Sequence, residues 1–264
     1  MVERLISSVQ NQQIKELKKL FTRKGRKKAG QYLLEGPHLV EMAVKADTEI
    51  LMIYYVPESS HQNVMQVQAL KADLPLTQVT PEVAKALSQT DHHQDIFAVA
   101  SLPKAKTLDI DQLSKGLLIL DQVQDPGNLG TLIRTADAFG YRDVLLGSGT
   151  VDLYNDKVLR SMQGSHFAVN TYDVDLMEVI PKLQESGYFV TTTELNDQAQ
   201  ACNAFDLKVK GKWALVMGNE GNGVSKATSQ LADMALYIPM FGSAESLNVA
   251  VAGAIVMYQF PTHD

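Results

Sequence analysis

The chain is poor in the residues that staple, chelate or span. Its 264 residues include one cysteine, Cys202, so no internal disulfide can form, and a lone thiol agrees with a reducing compartment. The six histidines (His38, His61, His92, His93, His166 and His263) fall in no Cys/His spacing that holds a structural metal. Adjacent His92 and His93 would point in different directions from either a helix or a strand, and no metal is expected. No stretch approaches the ~18–20 consecutive apolar residues that cross a bilayer. The opening MVERLISSVQNQQIKELKKL lacks the apolar segment of a signal peptide. No membrane partner and a cytoplasmic location are therefore expected.

What is present is the material of an ordinary globular protein, with 45% hydrophobic and 20% charged residues, enough for one large domain or two modest ones. The net charge of −6 is unevenly spread. Residues 1–30 hold nine cations (Arg4, Lys15, Lys18, Lys19, Arg23, Lys24, Arg26, Lys27 and Lys28) against Glu3 and Glu16, a local +7 that leaves −13 for the remainder. A basic block on an acidic chain fits a polyanion partner, because neutralised phosphates release counterions. The same block also fits a solvated helix face.

Patterning divides the chain in two. Residues 1–103 read as a small α/β unit: a polar-rich helix over about 11–22, a short apolar run at Tyr32–Leu34, a helix from Pro37, a buried strand in EILMIYYV (49–56), further segments near 61–72 and 81–89, and a closing strand in IFAVA (96–100). Polar, weakly periodic residues 104–116 make the expected linker. From 117 to 264, apolar runs alternate with helical patterns. The runs are LLILD (117–121), DVLLG (143–147), FAVNTY (167–172), YFVTTTEL (188–195), WALVMG (213–218) and ALYIP (235–239). Helices are expected at about 129–139, 156–162, 175–186 and 245–260. Such alternation predicts a mainly parallel sheet covered on both faces, with ligands at the carboxyl ends of its strands.

Three segments carry chemistry. In LLILDQVQDPGNLGTLIRTADAFG (117–140), a strand delivers Asp121, DPGN turns the chain, and Asn128 is placed to cap a helix. Leu129, Leu132, Ile133 and Ala136 form that helix's buried stripe, while Arg134 projects towards solvent or ligand. In ALVMGNEGNGVSK (214–226), a strand enters a glycine-rich loop. Gly218 and Gly223 have phosphate-loop spacing, but Val224-Ser225 stands where Lys-Ser/Thr is required, which disfavours an NTPase. The stretch Gly147-Ser148-Gly149 likewise lacks the third glycine of a dinucleotide fingerprint. Glu220 inside the loop would repel phosphate, yet can accept hydrogen bonds from a hydroxyl or an arginine. In YIPMFGSAESLNVAVAGAIVMYQF (237–260), Ser246 is placed to cap a helix rich in small residues.

In this order, DPGNLGTLIRTADAFG, LVMGNEGNGVS and IPMFGSAESLNVAVAGAI resemble the SpoU (TrmH-type) family of RNA 2′-O-ribose methyltransferases, within the SPOUT superfamily. The likeness continues through KVLRSMQGSHF (157–167) and through ISSVQNQQIKELKKL and YLLEGPHLVEMAV near the N-terminus. VDLYNDKVLR (151–160) departs modestly from the family's more proline-rich version. The resemblance implies an α/β fold with a C-terminal trefoil-knotted SPOUT methyltransferase domain, one of the few exceptions to unknotted chains. A small ribosomal-protein-like RNA-binding domain would precede it. S-adenosylmethionine would be the cofactor and S-adenosylhomocysteine the product. The loops that would hold it carry Thr193, Glu194 and Leu195; Met217, Gly218, Asn219 and Gly223; Ile238 and Met240; and Ser246 and Leu247.

By the same resemblance Arg134, Asn128, Glu220, Ser246 and Asn248 fall on the family's catalytic positions. The arginine is often assigned as general base, but a guanidinium stays protonated in proteins. Arg134 is therefore read as a phosphate ligand beside the target ribose, or as a stabiliser of developing alkoxide charge. Lys24, Arg26, Lys27, Lys28 and Arg160 are the expected RNA contacts. The expected partners are RNA, ribosomal before transfer RNA, and a second copy of the chain as a homodimer. A noncatalytic RNA-binding or ribosome-assembly factor on the same fold is the competing expectation.

Overall fold

The computed structural model describes residues 5–196, 198–204 and 211–262; Arg4 and His263 of the sequence reading lie outside them. In chain order the elements are β1 (Leu5–Ile6), α1 (Gln12–Lys19), α2 (Arg23–Ala29), β2 (Gln31–Glu35), α3 (Pro37–Lys45), β3 (Ile50–Tyr55), α4 (Pro57–Leu70), β4 (Leu76–Val79), α5 (Pro81–Leu87), β5 (Ile96–Ser101), β6 (Gly116–Leu120), α6 (Pro126–Ala138), β7 (Asp143–Gly147), α7 (Asp156–Met162), β8 (Asn170–Val174), α8 (Leu176–Glu185), β9 (Tyr188–Thr193), β10 (Gln200–Ala201), β11 (Lys212–Met217), α9 (Lys226–Leu231), β12 (Met234–Tyr237) and α10 (Val249–Gln259). They form two compact units, residues 1–104 with 152–167, and residues 105–151 with 168–264. Residues 152–167, expected with the second half, group with the first.

The first unit is built on a five-stranded sheet ordered β1-β4-β3-β5-β2, in which β5 runs antiparallel to β2 and β3. One core gathers Ile14, Leu17 and Leu20 with Val83, Ala84 and Leu87 against Tyr54, Phe97 and Val99 of the sheet. The helix expected over 11–22 is present as α1 and ends at Lys19, and a second helix that was not expected, α2, follows it from Arg23. Thr22 caps the second by accepting from Gly25 N, and a Cβ on Gly25 would lie 1.8 Å from Lys19 O. The tight corner therefore needs a residue without one. Segment 152–167 is fastened to this unit by Arg26, whose guanidinium pairs with Asp152 and donates to Leu20 O at 2.7 Å. The rings of Tyr32, Tyr154 and His166 also pack together there.

The second unit holds a seven-stranded sheet ordered β10-β12-β9-β11-β6-β7-β8, with every pair parallel. Period-two alternation sends Leu117, Ile119, Ala214 and Val216 to the face covered by Val179, Ile180 and Leu183 of α8. Leu118, Leu120, Leu215 and Met217 alternate to the opposite face. There α6 and α10 pack together, close enough that a Cβ on Gly253 would lie 2.4 Å from Leu132 Cδ2. Leu129, Leu132, Ile133 and Ala136 are fully buried, so the stripe expected on α6 is present, each large side chain contributing about 1.5–3 kcal/mol.

Candidate active site

Because the strands are parallel, the loops after β6, β9, β11 and β12 all leave the same end of the sheet. Those after β9, β11 and β12 line a cavity of about 380 Å³, within the range of small-molecule sites. Thr193, Glu194 and Leu195 line it from the loop after β9. Met217, Gly218, Asn219 and Gly223 do so after β11, and Ile238, Met240, Ser246 and Leu247 after β12. The structure thus brings all the residues expected to hold a cofactor around one space. Gly221, Asn222, Val224, Tyr237, Val249 and Ala252 also line it and were not singled out from the sequence. Asn222 was legible as part of GNEGNG, whereas Val249 and Ala252 reach the cavity only because α10 starts at its mouth.

The glycine-rich loop is a closed turn. Asn219 N and Gly223 O lie 2.8 Å apart, Gly223 N and Asn219 O 2.9 Å, and Asn219 Oδ1 accepts from the backbone of Gly221 and Asn222. A Cβ on Gly218 would fall 2.2 Å from Gly223 C and from Val224 N, so only glycine permits this closure. Besides the bonds to Glu220 described below, Asn219 Nδ2 donates to Gln122 O at 2.9 Å, and Ser225 N, just after the turn, donates to Asp121 Oδ2 at 2.8 Å, tying this segment to the loop after β6. Gln122 holds φ at +58°, an unusual conformation for a side-chain-bearing residue.

Glu220 organises the mouth of the cavity. Its carboxylate accepts from Asp125 N at 2.9 Å, Gln124 N at 3.2 Å and Asn128 Nδ2 at 3.1 Å. Burial alone would raise its pKa. The donors of Asp125, Asn128, its own backbone and Gln124 together outweigh that, and the group is held below the usual glutamate value. Asn128 passes the chain on, since its Oδ1 accepts from Asn248 Nδ2 at 2.9 Å. Asn248 Oδ1 accepts in turn from Ala250 N and Val251 N, the first orphan donors of α10. Three expected catalytic residues from distant parts of the chain therefore form one hydrogen-bonded relay.

Two capping expectations are corrected. Asn128 does not cap α6. Asp125 does, accepting from Asn128 N at 2.9 Å, with Pro126 at the first helical position, where its fixed φ and missing N–H cost nothing. The helix starts three residues earlier than expected, which frees the Asn128 side chain for Glu220 and Asn248. Likewise Asn248 caps α10 and Ser246 does not; Ser246 lies exposed on the cavity wall. Arg134 projects from the exposed face of α6, on the helix that carries Asn128 in its first turn.

The basic expectations divide. Lys24, Lys27 and Lys28 are exposed on α2. Arg26 is 4% exposed and committed to Asp152 and Leu20 O, so it is a packing residue and not an available cation. Alternation around a short helix turned it inward. Arg160 is half-buried and paired with Asp156 one turn away.

The SpoU rRNA Methylase family model matches residues 115–258, and the MRM3-like substrate binding domain matches residues 11–98. The chain is 39% identical over 253 residues to 23S rRNA (guanosine(2553)-2'-O)-methyltransferase RlmP of Bacillus subtilis (strain 168), covering 96% of this chain and 97% of that one. It is 33% identical over 241 residues to 23S rRNA (guanosine-2'-O-)-methyltransferase RlmB of Bordetella pertussis (strain Tohama I / ATCC BAA-589 / NCTC 13251), covering 88% and 97%. The AdoMet-bound rRNA methyltransferase from Sinorhizobium meliloti superposes with a TM-score of 0.84 at 27% identity, over 97% of this chain and 96% of that one. With the family model over more than half its length, and these relatives along nearly all of it, the chain belongs to the SpoU rRNA methylase family.

Proposed function

We propose that the chain transfers a methyl group from S-adenosylmethionine to a ribose 2′-hydroxyl of ribosomal RNA. The observation that carries this reading is the Glu220–Asn128–Asn248 relay at the mouth of a cavity formed where parallel strands end. The cavity fits the cofactor. Apolar Leu195, Met217, Ile238, Met240 and Leu247 suit an adenine ring, and the closed Asn219–Gly223 turn forms a fixed wall beside them. Among the described residues, the charged ones that line it are Glu194 and Glu220, which favour a ligand of net positive charge. When bound, S-adenosylmethionine supplies an electrophilic methyl group on a cationic sulfur.

The chain's residues must then place a hydroxyl in line with that methyl group and accommodate the charge that develops on its oxygen. Alignment alone removes much of the barrier. Asn128 and Asn248 present amides held rigid by Glu220 and by the start of α10, so little reorganisation accompanies hydroxyl binding. Arg134, a permanent cation, is suited to the phosphate beside the target ribose or to the developing alkoxide. As the oxygen–carbon bond forms, the hydroxyl proton would pass to water at this exposed mouth, because Arg134 is already protonated and cannot accept it.

The family's trefoil knot and homodimer belong to the same reading. A dimer is supported by α10, which is apolar all round yet exposes Val251, Ile255 and Tyr258 on one side, a stripe that association would cover. Exposed Lys24, Lys27 and Lys28 support the first unit as the part that grips RNA. No helix of the described residues is long and apolar enough to cross a membrane, and a cytoplasmic location follows from the proposed substrate. The test maps 2′-O-methyl marks across total RNA from cells with and without the protein. One ribosomal mark should vanish and return with wild type but not with Arg134→Ala. Loss of no mark refutes the reading.

A further inference from the structure

The loop that follows β12 carries an aromatic ring with no structural employment. Phe241 is 99% exposed, directly after Met240, which lines the cavity, and directly before Gly242, around which there is open space. Every residue from Phe241 to Asn248 is exposed. The neighbouring loop after β9, on the strand paired with β12, places Leu195 at the same end of the sheet with 63% exposure, and Leu247 at the cavity wall is 37% exposed. An apolar rim thus stands beside the polar relay of Glu220, Asn128 and Asn248. Its one aromatic member, Phe241, is also its most exposed.

A ring left almost wholly in water beside the cavity presents a flat apolar face to whatever enters there. In the proposed reaction the relay and Arg134 serve a ribose and its phosphate, which leaves the base to be held by another group. Holding a 2′-hydroxyl in line nevertheless requires the whole nucleotide to stop rotating about its backbone. Proteins that immobilise single nucleotides do so by stacking the base on an aromatic face, a contact open to every base because each presents a π-face. The loop from Met240 to Ala244 is uncharged and carries one small residue on either side of Ser243, so it offers a ring without steric crowding.

We propose that Phe241 is a positioning residue that stacks on the nucleobase of the target nucleotide, or of its immediate neighbour, while the 2′-hydroxyl faces the relay. This rests on the reading of the chain as an RNA ribose methyltransferase. Stacking on one base corresponds to roughly a 5- to 150-fold change in affinity. The ring contacts the RNA and not the cofactor, so its loss raises KM for RNA and spares binding of S-adenosylmethionine.

The test compares full-length wild type with Phe241→Ala, Phe241→Leu and Phe241→Tyr. The substrate is ribosomal RNA from cells lacking the enzyme, with isotopically labelled S-adenosylmethionine. Cofactor Kd comes from calorimetry and particle mass from sedimentation. Phe241→Ala and Phe241→Leu should raise KM for RNA within that 5- to 150-fold range. Phe241→Tyr should stay near wild type, and cofactor Kd and mass should be unchanged throughout. Unaltered KM in Phe241→Ala overturns the inference. So does a parallel weakening of cofactor binding, which would make the ring a cover for the cofactor. A shift in mass would make it a subunit contact, and full rescue by leucine would make it an apolar filler. Wild type that transfers no label to RNA fails the underlying reading instead, a result separable from all of these.

Discussion

Asn248 carries two jobs with opposite ends of one amide, and substitution can separate them. Its Oδ1 caps α10 through Ala250 N at 2.9 Å and Val251 N at 3.3 Å, while its Nδ2 donates to Asn128 Oδ1 at 2.9 Å. Asn248→Ala removes both, and loss of such a cap costs about 1 kcal/mol. In a chain of this size that lowers Tm by roughly 2–4 °C. Asn248→Ser keeps a capping oxygen but is too short to reach Asn128. It should be near wild type in Tm, with kcat/KM reduced about 2- to 12-fold, the equivalent of one neutral hydrogen bond.

Asn248→Asp is the sharper case. It retains the cap and adds a negative charge that the helix N-terminus favours, but it turns an acceptor towards Asn128 Oδ1. Asn128 cannot relieve this by rotating its amide, because its Nδ2 already serves Glu220 at 3.1 Å. The expected outcome is a stable protein with a larger loss of methyl transfer than Asn248→Ser. Thermal unfolding and methyl-transfer kinetics on the same preparations decide it. If Asn248→Asp transfers methyl as fast as wild type, the relay has no part in the reaction. If Asn248→Ala melts with wild type, the cap is energetically idle.

Other perturbations address separate parts of the structure. Gly218→Ala should weaken cofactor binding at least tenfold and cost about 1–3 kcal/mol of stability by overpacking, because the new methyl meets the backbone of Gly223 and Val224 at 2.2 Å. Calorimetric affinity within twofold of wild type would refute this. Arg26→Met should cost about 1.5–3 kcal/mol by removing the closer of the two arginines paired with Asp152 and leaving Leu20 O without its donor, whereas changing Lys24, Lys27 and Lys28 to Gln should leave Tm alone. That triple change should reduce the slope of log affinity for RNA against log salt by about 2–3, and an unchanged slope would remove α2 from the RNA surface. His166 is held neutral by burial, which pulls its pKa from 6.5 to about 4. The unfolded chain therefore binds the extra proton first, and stability should decline as pH falls from about 6.5 towards 4. In His166→Phe that decline should be shallower by chemical denaturation, and an identical profile would contradict the assignment.

The second unit was the more legible half, for a physical reason. Strands of an all-parallel sheet are buried on both faces and read as continuous apolar runs, so β6, β7 and β11 fall within a residue of the expected segments. The first unit hid more. Strand β4, Leu-Thr-Gln-Val at 76–79, alternates buried and half-buried positions and offers no apolar run. Short elements were hidden in both units: the two-residue strands β1, in the first, and β10, in the second, owe their existence to their partners. Helix α9 (Lys226–Leu231) is too short and polar to announce itself; Ser225 caps it through Thr228 N at 3.3 Å.

Sequence alone determined the alternation that forces a parallel sheet, the order of the three chemistry-bearing segments, and the glycines that allow close backbone approach. Those features are local, encoded in the spacing of neighbouring residues. Tertiary structure decided which of two adequate cap residues starts each helix, and turned Arg26 away from solvent to meet Asp152 across 126 positions of sequence. It also joined Asn128 to Glu220 and Asn248 across 92 and 120 positions. Such pairings depend on where the strands end in space, because hydrogen bonds act over about 3 Å and distance along the chain carries no such information.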